Sequence, residues 1–404
     1  MPFLLLLYVL AFLDRVNIGY AKPAFLRDTG LGEGAYAFGA GVFFVAYALL
    51  EIPSNLMLHR VGARVWIASI MMAWGVVSAA TMFARSSETF FILRFLLGAA
   101  EAGFFPGMIL YQSRWFPARN RAAMFGVFYF GAPLAQILGG PLSGLLLGMN
   151  GRSGLKGWQW MFLGEGFLAF LAGAWSLRRL TERPGAAEWL SPEERLSLQS
   201  AIDAEEAGKL PAAGANRLWR NPRVWSLGLI YALIQMSTYG VTFYLPSQVS
   251  RLLGRDVGFV VGVVSAVPWI CGLAAAWAVP RIAGRTGRGA AAGCAMAGAA
   301  LGIAASATAS PALGLLALCA AVAGFIGAQP VFWTFPTEEW GGREAAGGIA
   351  LVNSLGAVGA FLAPNLKVLA EAAWHSAFAG SLALAIPTAA GAALLFRIGR
   401  RRAA

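Results

Sequence analysis

Charge is scarce in this chain: only 12% of its 404 residues are Asp, Glu, Lys or Arg, against about 25% in soluble domains. With a mean hydropathy of +0.65, water is excluded as its main solvent. Histidine occurs twice and cysteine three times, at Cys271, Cys294 and Cys319. All three cysteines fall inside apolar stretches at spacings that match no metal motif, which excludes a disulfide framework and a zinc site. His59 and His375 sit at loop edges without metal-like neighbours, so neither a metal nor a cofactor is expected. Period-two alternation is missing too: a run such as FFILRFLLGAAEAGFFPGMIL cannot be the strand of a membrane barrel. What is present is a succession of apolar runs of about 20 residues, each long enough to cross a bilayer as a helix.

The runs predict twelve spans, at 2–23, 34–58, 65–83, 89–113, 122–148, 158–178, 224–249, 257–280, 289–309, 311–334, 345–366 and 374–396. The first has no small-residue cleavage site and is interrupted by Asp14, Arg15 and Asn17, so it reads as a retained helix and not as a signal peptide. It starts almost at Met1, which is compatible with a short polar segment ahead of it in a longer chain.

The net charge of +12 does not indicate a nucleic-acid partner, because the arginines are scattered between apolar spans and form no single basic face. They sort by topology instead. Placing the N-terminus in the cytoplasm collects roughly 21 Lys/Arg on that side and about 8 on the other, as the positive-inside rule requires. Contributors include Arg60, Arg64, Arg114, Arg119, Arg121, Arg281, Arg285, Arg288, Arg343 and the tail Arg397, Arg400, Arg401 and Arg402. Both termini are then expected inside.

The longest polar interval, 181–223, separates a bundle at 1–180 from one at 224–404. It carries Ser191 and Glu194 in a capping-box arrangement before Leu196 and Leu198, which predicts a short surface helix in a cytoplasmic linker. The two halves also look alike. FPARNRAAMFGVFYFGAPLAQILGGPLSGLL before and within the fifth span and FPTEEWGGREAAGGIALVNSLGAVGAFLAPNLKVL at the eleventh share an FP, a charged loop and a glycine-rich helix ending near proline. Parallel six-helix repeats give this pattern and place binding near the midplane between them. The expected fold class is therefore an all-α membrane protein with twelve transmembrane helices in two six-helix bundles.

Ionisable groups inside a bilayer are costly and hence functional candidates. Asp14 and Arg15 lie mid-span in YVLAFLDRVNIGYA, and Arg94 and Glu101 in ILRFLLGAAEAGFFPG. Arg94 and Glu101 are seven residues apart and share a helix face about 10 Å apart, with Gly98 between them to admit a neighbouring helix. A purely structural set of ion pairs is the alternative, but buried pairs are a poor source of stability. The four charges sum to zero with both acids ionised and become net positive as the acids are protonated, so protonation turns a neutral cluster into an anion receptor. Burial favours a neutral carboxyl and a nearby arginine a charged one, which poises Asp14 and Glu101 to exchange protons. Arginine's fixed fork of donors suits a carboxylate, and linkage makes proton and anion bind cooperatively. Glu51 and Glu165, nearer the ends of their spans, read instead as groups reaching interfacial water or a helix terminus.

The second half has no mid-span charge. It offers neutral polar groups instead: Gln235, Ser237, Thr238, Tyr239 and Tyr244 in the seventh span, Gln329, Trp333 and Thr334 in the tenth, and Asn353 and Ser354 in the eleventh. Helix–helix hydrogen bonding accounts for some of these. The run QPVFWTFP is bracketed by prolines, which favours a break beside a cavity. Charge in one half and amide, hydroxyl and indole donors in the other suit a ligand with a carboxylate at one end and hydroxyls or a ring at the other.

The segments FLDRVNIGYA, FVAYALLEIPSNLMLHRVGARVW, ILRFLLGAAEAGFFPG, SRWFPARNRA, GWQWMFLGEG and FWTFPTEE stand in an order that resembles the major facilitator superfamily, and within it the anion:cation symporter family of organic-anion permeases. The resemblance spans nearly the whole chain. It implies alternating access with proton symport, proton-binding acids at Asp14 and Glu101, and anion-binding arginines at Arg15 and Arg94. It further implies a cavity tyrosine at Tyr47 and second-half substrate contacts at Gln235, Trp333, Thr334 and Asn353. Two departures concern the cytoplasmic loops: HRVGAR has His59, and RIAGRTGR has Gly284, where the family's loop motif commonly has an acid.

The function expected is therefore import of a small organic carboxylate (a sugar acid, hydroxy acid or aromatic acid) in symport with protons, by a monomer in a bacterial inner membrane. Alternatives are an organic-anion exchanger or exporter of the same fold, and a receptor that binds the anion without moving it. Paired carboxylates also suit acid–base catalysis, but no nucleophile, metal cluster or phosphate loop accompanies them, so no enzyme is expected.

Overall fold

The computed structural model describes residues 1–117, 124, 126–207, 220–308, 310–339 and 342–401. Within these, twelve helices are long and apolar enough to cross a membrane. They are α1 (Pro2–Thr29), α2 (Glu33–Leu58), α3 (Ala63–Phe83), α4 (Ser87–Ser113), α5 (Gly126–Leu147), α6 (Gly157–Arg179), α7 (Pro222–Thr242), α8 (Phe259–Thr286), α9 (Arg288–Ala305), α10 (Pro311–Pro336), α11 (Gly348–Trp374) and α12 (Ala377–Gly399). Each expected span has its helix. Arg119, Arg121 and Arg402, part of each FP-led repeat, and the side chains of Arg343, Arg400, Arg401 and His59 lie outside the described residues.

The ends differ where the chain has local reasons. α1 continues past Pro23 and stops only at Gly30, whose φ of 71° closes the last turn in the left-handed conformation. The seventh span, expected as one helix to residue 249, divides into α7 and a separate helix Leu245–Leu253 with Pro246 in its first turn. That break directs the Phe243 carbonyl at the other half of the molecule, where the Tyr36 hydroxyl donates to it at 3.4 Å and to the Ile18 carbonyl at 3.3 Å. α4 is likewise two segments, Ser87–Glu101 and Phe104–Ser113. Pro106 cannot donate the bond that would continue the first segment, and Glu101 is left as the last residue before the break.

In the linker, helix Pro192–Ala207 opens on the expected capping box. The Ser191 N–H donates to Glu194 Oε2 (2.9 Å) and the Glu194 N–H to Ser191 Oγ (3.2 Å). Trp189 stacks on Trp115 below α4, with ring centroids 5.5 Å apart.

Buried apolar side chains gather in two large clusters, one mostly from α1–α6 and one from α7–α12, with a small third of Val9, Leu13 and Ala135 between α1 and α5. Lipid tails are as apolar as Leu, so close packing through small residues joins the helices. A Cβ on Gly98 of α4 would lie 2.1 Å from the Phe43 carbonyl oxygen of α2, so glycine alone lets these two backbones touch. The same device joins the halves: a Cβ on Gly140 of α5 would lie 2.3 Å from the Gly262 carbonyl of α8. This backbone contact lies toward the face remote from the chain ends. Toward the face that carries the chain ends, side chains bridge the halves, with Glu51 of α2 accepting from Asn353 Nδ2 (3.0 Å) and Ser354 Oγ (3.3 Å) of α11.

Candidate functional site

A cavity of ≈ 110 Å³ lies between the halves. The first half presents Arg15 of α1, Tyr47 of α2, and Tyr129 and Gln136 of α5; the second presents Gln235, Thr238 and Tyr239 of α7, Gln329 and Trp333 of α10, and Asn353 of α11. Aromatic rings, including Tyr8, Phe12, Phe44 and Tyr231, make up much of the remaining wall. One strong cation among amides, hydroxyls and rings is chemically suited to a small anion with polar substituents.

Arg15 organises the first-half wall. Its Nε and one terminal nitrogen both donate to Glu101 Oε2, at 3.0 and 2.6 Å, and its other terminal nitrogen reaches the Tyr239 hydroxyl at 3.3 Å across the interface between halves. The guanidinium carbon lies 4.9, 5.3 and 5.2 Å from the ring centroids of Phe12, Phe43 and Tyr47, and these aromatic faces favour the cation. The Arg15 side chain keeps 11% of its surface open and Glu101 keeps 1%, so the arginine faces the cavity with the acid behind it. Because both donors converge on one oxygen, Glu101 Oε1 is buried without a partner among the described residues.

The other two charges are not part of this contact. Asp14 adjoins Arg15 in sequence, but about 100° of helical rotation per residue turns it away, against α3. There it accepts from Ser78 Oγ (2.6 Å) and Trp74 Nε1 (3.0 Å), with Asn17 Nδ2 at 3.5 Å. Arg94 is 1% exposed and donates from Nε to the Gly39 carbonyl at 3.4 Å. Its two terminal nitrogens have no partner among the described residues, although a buried guanidinium normally has one. The Phe43 ring lies between the two arginines, 5.3 Å from the guanidinium carbon of Arg15 and 5.0 Å from that of Arg94. The four charges expected as one cluster are thus an ion pair at the cavity wall with its arginine facing the cavity and its acid behind, an acid facing α3, and an arginine behind Phe43.

Of the expected substrate contacts, Arg15, Tyr47, Gln235, Trp333 and Asn353 line the cavity, whereas Arg94 and Thr334 do not; the expected proton-binding acids Asp14 and Glu101 lie off it as well. The Thr334 hydroxyl faces away: it donates to the Val331 carbonyl (2.7 Å) and accepts from Arg288 (3.3 Å). Gln235 Oε1 is buried and unpartnered among the described residues. Trp333 packs edge-on against Tyr231 at 4.7 Å.

Two residues correct the sequence reading outright. Glu51 and Glu165, expected to reach water or a helix end, are 3% and 2% exposed. Glu51 holds Asn353, and Glu165 accepts from Ser143 at 2.9 Å. Their positions near span ends misled, because the bundle is packed there too. Tyr129 and Gln136 were also passed over; Tyr129 donates to Gln329 Oε1 at 2.5 Å across the halves, and Gln329 in turn donates to Thr238 at 3.3 Å. A polar residue on the inner face of a glycine-rich helix was the available signal. Among the described residues, no group of three or more His, Cys, Asp or Glu is placed to hold a metal ion.

Comparison with known proteins gives the family and supports the fold. The family model for the Major Facilitator Superfamily matches residues 4–364. The inner membrane transport protein RhmT of Escherichia coli is 49% identical over 398 residues, 98% of this chain and 92% of that protein. A putative tartrate transporter of Agrobacterium vitis is 44% identical over 374 residues, 90% of this chain and 82% of that protein. Among solved structures, a partially occluded inward-open conformation of the xylose transporter XylE from E. coli superposes with a TM-score of 0.75 at 16% identity, covering 98% of this chain and 97% of that one.

Proposed function

Because the chain belongs to the major facilitator superfamily, and so is a membrane transporter and not an enzyme, we propose that it imports a small organic carboxylate with protons by alternating access. The observation that carries this reading is the Arg15–Glu101 pair at the wall of the central cavity. An arriving carboxylate and the Glu101 carboxylate are rivals for the same guanidinium fork. Protonating Glu101 weakens the rival, so a proton on Glu101 and an anion on Arg15 favour one another. Asp14 is the second proton site; it acts on the arginines through the low-dielectric interior and not by contact. Arg94 acts from behind Phe43 in the state described and reaches the anion when that ring turns. Tyr47, Gln235, Trp333 and Asn353 complete the substrate contacts. We leave Thr334 out of the set, since its hydroxyl is engaged with Arg288.

Within the carboxylates, the four cavity amides Gln136, Gln235, Gln329 and Asn353, with the hydroxyls of Tyr47, Thr238 and Tyr239, favour a hydroxylated acid. They can pair with several hydroxyl groups, and a buried polar group left unpaired is costly. The 44% identity with a putative tartrate transporter supports the same class. We place the protein in a bacterial inner membrane as a monomer with both termini cytoplasmic, in keeping with the distribution of its arginines.

Purified protein in liposomes tests this. Tartrate, gluconate and benzoate are offered under an inward proton gradient, an inside-negative potential, both or neither. Accumulation of the hydroxy acids that collapses with the gradients is expected. Counterflow without accumulation makes the protein an exchanger, and binding without flux makes it a receptor.

A further inference from the structure

A second polar site lies behind the cavity, at the meeting of α1, α5 and α6. Glu165 of α6 is 2% exposed and accepts from Ser143 of α5 through Oε1 only, while Oε2 is buried with no partner among the described residues. Asn17 of α1, 1% exposed, stands between Glu165 and Asp14. Its amide nitrogen is 3.5 Å from Asp14 Oδ1, and its oxygen is likewise buried and unpartnered. The Asn17 amide is within hydrogen-bonding reach of both Asp14 and Glu165, so a proton carried on Glu165 Oε2 can be donated to Asn17 Oδ1 once the amide turns that oxygen towards it, which satisfies both orphaned atoms. An ionised Glu165, with only the neutral groups of Ser143 and Asn17 as hydrogen-bonding neighbours, would be costly in a bilayer interior.

We infer that Glu165 is a proton-carrying residue of the transport cycle, which loads first and hands its proton on to Asp14. The inference rests on the proton-symport reading above. With Glu165 protonated, Asn17 turns its N–H to Asp14, which also accepts from Ser78 and Trp74 and is suited to remain an anion. When the proton leaves Glu165 and Asp14 gains one, the Asn17 amide rotates. Its N–H then meets the Glu165 carboxylate and its C=O accepts from the Asp14 hydroxyl. One proton and one amide rotation exchange the two states, with charge conserved. Along the helices, Glu165 lies about 12 Å from the start of α6, nearer than Asp14 to the face remote from the chain ends, so the relay runs inward. The titratable groups facing Glu165 are Asp14 and Tyr20 of α1; Asp14 is faced in addition by Arg94 and Glu101 of α4. Ser143 of α5 and Trp74 and Ser78 of α3 are neutral.

Glu165→Gln imitates the protonated acid permanently, keeping an acceptor for Ser143 and a donor for Asn17. In liposomes the variant is expected to retain tartrate counterflow but to carry one proton fewer per tartrate, read from the potential at which net flux reverses. Losing one charge from the coupling lowers accumulation about 50-fold per 100 mV. Glu165→Asp, which still titrates, is expected to keep the wild-type ratio. An unchanged ratio in Glu165→Gln overturns the inference, as does a folded variant that has lost counterflow. Should Glu165→Gln fail to fold, a Glu165→Asp protein with the lowered ratio overturns it too, and the wild-type ratio upholds it. Wild-type flux that ignores both gradients refutes the symport reading itself, which is a different result.

Discussion

Glu101→Gln is the substitution that separates competition for Arg15 from simple charge attraction. In the wild type, Glu101 Oε2 receives two guanidinium N–H groups at 2.6 and 3.0 Å, and an incoming carboxylate must displace at least one. Glutamine presents a neutral oxygen of the same size, so the anion meets a weaker rival. A hydrogen bond to a charged group contributes roughly 1.5–3 kcal/mol, so tartrate is expected to bind about 10- to 150-fold tighter to the variant at neutral pH. The empty variant is weakened, because breaking a buried ion pair costs about 3–5 kcal/mol, and the anion restores part of that by supplying the missing charge. The assay is thermal unfolding of detergent-purified protein with and without tartrate, at acid and neutral pH. On the proposed reading, wild-type stabilisation by tartrate is expected to grow as the pH falls, since a proton on Glu101 and the anion on Arg15 would assist each other. In the variant the stabilisation is expected to be larger and to lose most of this pH dependence, while counterflow survives and proton-driven accumulation falls. A variant that binds no tighter than wild type, with its pH dependence intact, refutes competition at Arg15 as the coupling step.

Other substitutions probe the remaining parts. Arg15→Lys keeps the charge but loses the planar fork and its stacking on Phe12, Phe43 and Tyr47; tartrate affinity by the same thermal assay should fall on the order of 100-fold, about 2.7 kcal/mol. Gly140→Leu places a side chain where a Cβ alone would be 2.3 Å from the Gly262 carbonyl. The halves then cannot close on the face remote from the termini, so binding is expected to persist while counterflow is abolished, and wild-type counterflow would contradict the role given to this contact. Glu51→Ala removes the acceptor that holds Asn353 and Ser354; counterflow should rise or fall severalfold without a matching change in fold stability, as measured by unfolding, if this bridge opens in each cycle.

How much of this was legible in the sequence depended on the range of the interactions. Helix count and the candidate charges were readable because hydrocarbon thickness and the cost of burying Asp14, Arg15, Arg94 and Glu101 act on each residue alone. The direction of each charge was not. Asp14 and Arg15 are neighbours in the chain, yet one meets α3 and the other meets α4 and α7, a difference set by which helices flank α1. Glu51 illustrates the same limit: its partners Asn353 and Ser354 are some three hundred residues away, and nothing near ALLEIPSN announces them. Gly98 was readable, since a glycine between two buried charges has few purposes other than close approach.

The division between halves has a consequence for coupling. The ionisable groups Asp14, Glu101 and Glu165 all stand in α1–α6, and the second half contributes neutral contacts to the cavity, so protonation by itself alters only one half. Motion between halves must therefore be sensed through contacts that join a charge of the first to a group of the second. Such contacts among the described residues include Arg15 to Tyr239, 3.3 Å, and Glu51 to Asn353, 3.0 Å. The first bond leaves from the same guanidinium that holds Glu101, so a proton on Glu101 releases Arg15 and changes its hold on α7 at the same moment. A bound carboxylate that takes over Arg15 while its hydroxyls engage Gln235 and Asn353 rebuilds the bridge through itself. The empty, proton-loaded protein then has a weakened tie between its halves and the doubly loaded protein a restored one. Under the proposed symport, that difference would give a physical reason for the halves to rock when proton and anion are both bound, and to resist rocking with the proton alone, which is the condition for symport without leak.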